Sequence, residues 1–124
     1  MLAWVIVDVQ IFGIRKNQDV RKAQRFFAER RVHVHFVDLA EHAASKSELQ
    51  RFAQKFGVGA LIDKTSRRYA DLGLGVVRYD DAHWMAKLVD EPLILVMPLA
   101  RCRHKLTIGL AEPEWEAWVK EGKA

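Results

Sequence analysis

Cys102 is the single thiol in the 124-residue sequence, and basic residues flank it. Positive charge on Arg101, Arg103 or His104 would lower the thiol pKa and increase the thiolate fraction, the form that acts as a nucleophile or metal ligand. One cysteine excludes an internal disulfide and a zinc site built from cysteines, and it fits a reducing compartment. Two interpretations stay open: a redox role, or an incidental cysteine at the surface or in a turn.

A second candidate for chemistry is the polar segment Arg15, Lys16 and Asn17. Asn17 or Asp19 can cap a helix over Val20–Arg30, because a short polar side chain at the N-cap accepts a hydrogen bond from a backbone N–H of the first turn. The free N–H groups of that turn, together with the two basic side chains, could attract an anion. The alternative is an ordinary solvated loop.

His33 and His35 are two residues apart in a predicted strand, Val32–Val37, so both point to one face. Two imidazoles on one face could chelate a metal. His42 is near in sequence, but no third ligand lies at a diagnostic spacing, so we expect structural histidines and no metal. The sequence also has no Ser/His/Asp signature, phosphate-binding loop motif or dinucleotide fingerprint.

The charge pattern bears on the choice of partner. Twenty basic and 16 acidic side chains give a net charge of +4, spread along the chain. A dedicated nucleic-acid binder concentrates such charge on one stripe with aromatic stacking platforms, so nucleic acid is not the expected partner, whereas small anions remain candidates. The densest basic clusters are Arg15-Lys16, Arg30-Arg31, Arg67-Arg68 and Arg101–Lys105.

Length and hydropathy bound the class of protein. Half of the residues are apolar and 29% are charged, which indicates a folded domain, and 124 residues favour a single domain spanning 1–124. The longest apolar runs, Leu2–Val7 and Pro92–Ala100, are too short to cross a bilayer. A basic region before the first run is missing and Asp8 interrupts it, so we expect a cytoplasmic protein with no signal peptide and no membrane partner.

Hydrophobic periodicity predicts the elements that must position these residues. The first predicted strand lies in Trp4–Ile14, and Gly13 marks its end. The other predicted strands are Val32–Val37, Leu93–Met97 and Leu106–Ile108. A basic turn at Arg101–Lys105 joins the last two. The predicted helices are Val20–Arg30, a helix from the Ser45/Glu48 capping box to Gly57, short pieces at Val58–Ile62 and Ser66–Leu72, a helix from Asp80 or Asp81 to Pro92, and one with Pro113 in its first turn.

Three helical tryptophans, Trp84, Trp115 and Trp118, are expected in the core at helical spacing. The element order is β-α-β, a helical block, then β-β-α. This order predicts an α/β domain with a mixed four-stranded sheet of thioredoxin type, flanked by helices.

Three segments resemble the arsenate reductase/Spx family, a branch of thioredoxin-fold proteins with a helical insertion. The run Ile11–Ala23 is similar to the family's Tyr-Gly-Ile-Lys-Asn-Cys-Asp-Thr segment with its following basic residues and Ala. Residues Ala60–Leu74 resemble the family's Leu-Leu-x-x-(Arg/Lys) block, which continues to an aromatic residue and Leu-Gly. Glu91–Leu99 is similar to the family's Pro-x-Leu-Ile-x-Arg-Pro-Leu segment. The order and spacing of the three segments cover the chain from about Val9 to Val119.

The departures from the family pattern bear on activity. The resemblance places Asn17 where the family has a nucleophilic cysteine at the start of the first helix, and an amide cannot supply a thiolate. Three arginines hold the oxyanion in arsenate reductases of the family, and their matching positions here are Asp63, Met97 and Ile108. We therefore do not expect arsenate reduction by a resident thiol.

The resemblance also implies the remaining site residues. Pro98 matches a family proline that is typically cis and faces the active loop, where the strand offers backbone groups to an extended peptide or to glutathione, and Met97 beside it suits an apolar contact. Cys102 lies four residues further on, about 13 Å along an extended strand, so it is not a relocated nucleophile for this pocket. The candidate ligand-binding residues are Arg15, Lys16, Asn17, Met97 and Pro98.

Two functions follow from the resemblance. The first is a non-catalytic binding or regulatory module with a protein partner, for which Spx-like members that bind RNA polymerase give a precedent. The second is a reductase that has no nucleophilic cysteine of its own and uses bound glutathione as the thiol, with the protein supplying a site for a small oxyanion. Apart from glutathione in this second function, we expect no cofactor.

Overall fold

The computed structural model describes residues 8–122, which form two compact units. One unit, called here the sheet unit, comprises the residues up to Val37 together with those from Met97 onward. The other, the helical unit, comprises Asp38–Val96 and contains the helical insertion that the sequence predicts. None of the helices within residues 8–122 is long and apolar enough to cross a membrane.

The sheet has four strands in the order β2-β1-β3-β4. Strand β1 pairs antiparallel with β3, with Phe12 opposite Leu99 and Gln10 opposite Arg101. Strand β3 pairs antiparallel with β4, with Leu99 opposite Ile108. The strands are β1 (Asp8–Gly13), β2 (His33–Asp38), β3 (Leu99–Cys102) and β4 (Lys105–Ile108). The part of the first predicted strand at Trp4–Val7 lies outside the described residues.

Helices α1 (Gln18–Glu29) and α5 (Glu112–Gly122) enclose an aromatic core in the sheet unit. Trp115 is fully buried, and its ring centroid lies 5.3 Å from that of Phe27. Its indole Nε1–H donates a 2.8 Å hydrogen bond to Thr107 Oγ1, so the buried polar atom of this side chain is satisfied. The buried residues of α1 are Val20, Ala23, Phe26 and Phe27, and, as predicted, α5 buries Trp118 as well as Trp115.

Arg30 and Glu116 link the two helices at the edge of this core. The Arg30 guanidinium lies 3.7 Å from the centroid of the Phe26 ring, and its Nε donates to Glu116 Oε1 at 2.6 Å. The methylene stem of an arginine can cover apolar surface while its charged end stays in contact with water. This pair therefore shields the rim of the aromatic core.

The helical unit contains α2 (Lys46–Phe56), α3 (Arg67–Asp71) and α4 (Asp81–Asp90). The predicted capping box at the start of α2 is confirmed, since Ser45 Oγ accepts from Glu48 N–H and the Glu48 carboxylate accepts from Ser45 N–H. Asp80 is the N-cap of α4, and Trp84 within that helix is only half-buried. Short 3-10 helices lie at Val58–Leu61, Leu74–Val76 and Pro92–Ile94.

The predicted strand Leu93–Met97 is wrong. Its first residues lie in the 3-10 helix, and the backbone that follows pairs with the segment around Ile62, where Leu95 and Ile62 form an isolated antiparallel bridge. Asp63 N–H donates to Ile94 O and Val96 N–H to Leu61 O, both at 2.8 Å. A short apolar run indicates burial but does not show which backbone will satisfy its polar groups.

The predicted basic turn Arg101–Lys105 is shorter in the structure. Arg101 and Cys102 belong to β3 and Lys105 to β4, which leaves a two-residue hairpin turn at Arg103 and His104. Arg103 has a φ of 58°, and a positive φ at the first central residue is typical of such tight hairpin turns. Because charged residues occupy both the strand ends and the turn, composition alone does not mark the boundary.

Candidate functional site

The strand register brings the predicted ligand-binding residues to one end of the sheet. Phe12 pairs with Leu99, and extending the antiparallel register by one residue sets Gly13 opposite Pro98. The loop 14–17 leaves β1 at Gly13, so it begins beside the Met97–Pro98 segment. Of the three positions that the family resemblance assigns to arginines, Met97 and Ile108 also lie at this end, whereas Asp63 belongs to the helical unit.

Gly13 allows the close packing that fixes the start of this loop. It is buried, and a Cβ atom at this position would collide with Cγ2 of Val20 on α1. The backbone then turns, with Asn17 N–H donating to Ile14 O at 3.1 Å. Because a glycine permits this contact between strand and helix, the first turn of α1 is held against the end of β1.

Asn17 is the N-cap of α1, as the sequence predicts for Asn17 or Asp19. Its backbone is extended, with φ −69° and ψ 129°, and its Oδ1 accepts a 3.0 Å hydrogen bond from Val20 N–H. Asp19, the other predicted cap, lies within the first turn of the helix. The side-chain oxygen of Asn17 is thus already engaged by the protein's own backbone.

Arg15 and Lys16 are exposed on the loop, as expected for an anion-attracting or solvated segment. The Arg15 guanidinium carbon lies 5.4 Å from the centroid of the Phe36 ring on β2, and Arg15 O accepts from Arg21 Nε at 3.0 Å. Because residues alternate along a strand, the sequence can place Phe36 on the face of β2 opposite His33 and His35. It cannot predict that the side chain of Arg15 contacts this ring. A basic side chain is therefore held over an aromatic ring at this end of the sheet.

The Met97–Pro98 peptide bond is cis, and both residues are buried. Gly109 N–H donates to Pro98 O at 2.8 Å, which continues the β3–β4 pairing past Leu99. Just beyond, Leu110 is 45% exposed. We call this end of the sheet the loop-end surface, comprising Gly13–Asn17, Met97–Pro98 and Ile108–Leu110. It combines exposed basic side chains with an apolar flank.

The structure corrects the interpretation of Cys102. This residue is the buried last residue of β3, not a turn or surface cysteine. Burial raises the thiol pKa above its usual value, and this effect outweighs the opposing influence of Arg103 and Lys105. Three residues separate it from Leu99, about 10 Å along the strand, so it lies at the other end of β3 from the loop-end surface.

The predicted histidine pair lies on the exposed face of β2. His33 and His35 are both exposed, and His33 Nδ1 lies 3.2 Å from Asp8 Oδ1. Within residues 8–122, no group of three or more His, Cys, Asp or Glu side chains is placed to hold a metal ion. The Asp80 carboxylate accepts hydrogen bonds from the backbone and ring of His83, which lower its pKa.

One of the basic clusters is neutralised within the helical unit. Arg68 forms a two-pronged ion pair with Glu91, with Nη2 2.5 Å from Oε1 and Nε 3.2 Å from the same oxygen. The hydrogen bonds and charge of Glu91 raise the Arg68 pKa. Glu91 is thus engaged in a specific ion pair. Because Arg68 has a partner, the Arg67-Arg68 pair presents less positive charge than the sequence suggests.

These features define a thioredoxin-like α/β protein with a helical insertion and a loop that caps the first helix. The family model of the ArsC family matches residues 12–118, most of the chain, and the chain belongs to the ArsC family. No curated protein matches the chain in sequence at a significant level.

Several solved structures share this fold. The YFFB (PA3664) protein is 16% identical with a TM-score of 0.81, over 90% of this chain and 98% of that one. A protein described as related to the ArsC family, from Bacteroides fragilis, is 15% identical with a TM-score of 0.80, over 89% and 96%. The arsenate reductase from Vibrio cholerae is 21% identical with a TM-score of 0.74, over 93% and 97%. At these identities the likeness concerns the fold alone.

Proposed function

We propose that this chain is a binding or regulatory member of the ArsC family without a catalytic thiol of its own. The observation that carries the proposal is the hydrogen bond between Asn17 Oδ1 and Val20 N–H, because it engages the side chain that the resemblance places at the nucleophile position. An amide has no thiolate-like state. Cys102 cannot substitute for it, since this thiol is buried at the other end of β3 with a raised pKa.

The chemistry of the loop-end surface favours a protein partner with an acidic segment. Arg15 and Lys16 supply exposed positive charge, and Leu110, after β4 at the same end of the sheet, supplies exposed apolar area. The buried core of a protein interface is more apolar than the rest of the surface, arginine is enriched in interfaces, and opposite charge guides the encounter and fixes the orientation of the partner. An extended acidic segment with apolar side chains would complement both features.

A charge-reversal pair tests this function. The variant with both Arg15→Glu and Lys16→Glu should abolish the specific recovery of a partner on the immobilised protein. The matched control carries Lys22→Glu and Arg25→Glu, which make the same change of charge at exposed positions on α1. Equal loss of the partner in both variants, or repeated experiments that recover no specific partner, would contradict the proposal.

The alternative function is a glutathione-dependent thiol reductase. The arrangement that favours it is the register of β1 and β3, which sets Pro98 opposite Gly13 and brings the cis Met97–Pro98 segment beside the basic loop. In this case glutathione supplies the sulfur, and the protein holds the tripeptide and an anionic substrate. The alternative predicts saturable glutathione binding and turnover that survives Cys102→Ser.

Backbone amide shifts of isotope-labelled protein separate the two functions. Shifts clustered at Arg15–Val20 and at Met97 and Leu99, the residues on either side of Pro98, on addition of glutathione, arsenate or phosphate would favour a ligand pocket and call for turnover assays. A flat response of these amides at millimolar glutathione would eliminate the alternative. The partner experiment with Arg15 and Lys16 then decides the primary proposal.

A further inference from the structure

A cavity lies in the sheet unit, at the hairpin between β3 and β4. It is a cavity of about 160 Å³, between the hairpin and the last turn of α5. Pockets for drug-sized ligands measure roughly 300–1,000 Å³, so this one suits a compact ligand. The residues that matter for its chemistry are Cys102, Arg103, His104, Lys105, Trp118 and Glu121.

The walls of the cavity differ in polarity. Trp118 and Cys102 are buried, with 5% and 8% of their surface exposed, and supply an apolar side. Arg103 and His104 are exposed, and Lys105 is half-buried, so the cationic side faces solvent. Because burial raises the pKa of the Cys102 thiol, this wall carries no negative charge at neutral pH.

The charge balance of the cavity favours an anion. Two basic side chains, Arg103 and Lys105, and one carboxylate, Glu121, line the cavity. The Lys105 ammonium and the Glu121 carboxylate are hydrogen-bonded to each other. Asp8 is a further acidic group near Cys102, and its carboxylate lies 3.2 Å from His33 Nδ1.

Glu121 indicates the kind of group that this cavity accepts. It already places a carboxylate against Lys105, so the lysine is held where an oxyanion can reach it. The Arg103 backbone is held at the hairpin turn, where its carbonyl oxygen accepts a 2.8 Å hydrogen bond from Arg101 Nε, and its exposed side chain lines the cavity. Its guanidinium offers the forked donor geometry that binds oxyanions.

We propose that the hairpin–α5 cavity is a binding site for a compact oxyanion such as inorganic phosphate, and that Glu121 competes with this anion for Lys105. The site is separate from the loop-end surface, since Cys102 and Leu99 are at opposite ends of β3. It goes beyond the proposed function and does not depend on it.

The test is a titration of labelled protein with inorganic phosphate at constant ionic strength, read by backbone and indole N–H shifts. The proposal predicts saturable shifts at Arg103–Lys105 and at the Trp118 indole. The Trp84 indole, in the helical unit, is an internal control and should not shift. Glycerol phosphate and acetate as further probes distinguish a free ion from a phosphorylated molecule and a phosphate from a carboxylate.

The ion pair allows a test in which the two partners give opposite results. Glu121→Gln removes the competitor and should tighten phosphate binding about fivefold, whereas Lys105→Gln removes a ligand and should weaken it by a similar factor. A merely structural salt bridge would move both variants in the same direction. Matched controls are Glu114→Gln and Lys120→Gln, which change the same charges at exposed positions on α5 that do not line the cavity.

Two results would overturn the proposal. One is phosphate shifts confined to Arg15–Val20, or no shifts at the cavity at all. The other is an equal change of affinity in both ion-pair variants. Melting curves of each variant ensure that folded proteins are compared. Arg103→Gln removes a cationic charge from the cavity but leaves the Lys105–Glu121 ion pair intact, and it should also weaken phosphate binding.

Discussion

Asn17 and Val20 are joined by a 3.0 Å hydrogen bond from Val20 N–H to Asn17 Oδ1, which starts helix α1 at the loop-end surface. Asn17→Ala removes this acceptor and should lower the free energy of unfolding by about 1 kcal/mol. Asn17→Ser and Asn17→Asp keep an oxygen in reach and should retain most of the stability. Chemical denaturation of the three variants checks this, and an equal loss in all of them would contradict the capping role.

The same position should activate a thiol if one is placed there. In an Asn17→Cys variant that also carries Cys102→Ser, the thiol would sit at the positive end of α1, close to Arg15 and Lys16. Both effects favour the thiolate, so we expect a pKa below the usual value of about 8.5. The pH dependence of the alkylation rate measures it, and a pKa at or above the usual value would show that this loop does not stabilise an anion.

Cys102 should make stability depend on pH in the alkaline range. Its folded-state pKa is raised above the usual thiol value of about 8.5, so the unfolded chain loses this proton first. Stability is therefore unaffected below about pH 8 and falls as pH rises from there towards the folded-state pKa. Because other alkaline groups titrate in both proteins, the measurement compares denaturation of the wild type with that of Cys102→Ser between pH 7 and 11. Parallel curves would contradict the raised pKa.

The buried hydrogen bond from Trp115 to Thr107 should be costly to break. Thr107→Val keeps the shape of the side chain but leaves the indole N–H without an acceptor, which should destabilise the protein by about 1–3 kcal/mol. Thr107→Ser keeps the hydroxyl and loses one methyl group, and is the matched control. Urea denaturation compares the two. A smaller loss for the valine variant than for serine would show that methyl packing, not the hydrogen bond, dominates there.

Arg31 occupies a backbone conformation that favours glycine. Its φ is 58°, and Val32 N–H donates to Phe27 O while Arg31 N–H donates to Ala28 O, the pattern of a Schellman motif at the end of α1. Arg31→Gly should therefore keep or raise the free energy of unfolding, by up to about 1 kcal/mol.

The control for that prediction is Ala28→Gly, at an exposed site inside the same helix. Glycine there should lower the free energy of unfolding by about 1 kcal/mol, because no positive φ offsets its loss of backbone entropy. Thermal denaturation of both variants gives the signs. A decrease for Arg31→Gly as large as that for Ala28→Gly would mean that the arginine side chain stabilises the helix end.

Local signals in the sequence predict much of the fold. The cap at Asn17 and the capping box of Ser45 with Glu48 depend on neighbours within one helical turn, and both are confirmed. The prediction of a strand at Leu93–Met97 is wrong because the backbone partners of this segment, around Ile62, are some 30 residues away in sequence. Apolar composition indicates that such a segment is buried but not what it pairs with.

The candidate site shows the same division between local and long-range information. The resemblance and the sequence supply the candidate residues Arg15, Lys16, Asn17, Met97 and Pro98, but not Leu110. That the loop lies beside the Met97–Pro98 segment depends on the register of β1 with β3, which the sequence does not specify. The sequence does not predict the burial and raised pKa of Cys102. Its neighbours in sequence are basic, whereas its burial depends on packing in three dimensions. The hairpin–α5 cavity brings together residues from two segments and has no sequence motif.

The central claim is that the loop-end surface binds and does not carry out thiol chemistry. The most direct test is an arsenate reduction assay with glutathione in excess, comparing wild type, Cys102→Ser and a reaction without protein. The account predicts no turnover above the reaction without protein for either protein. Turnover that rises with protein concentration and survives Cys102→Ser would contradict it and establish the glutathione-dependent reductase instead.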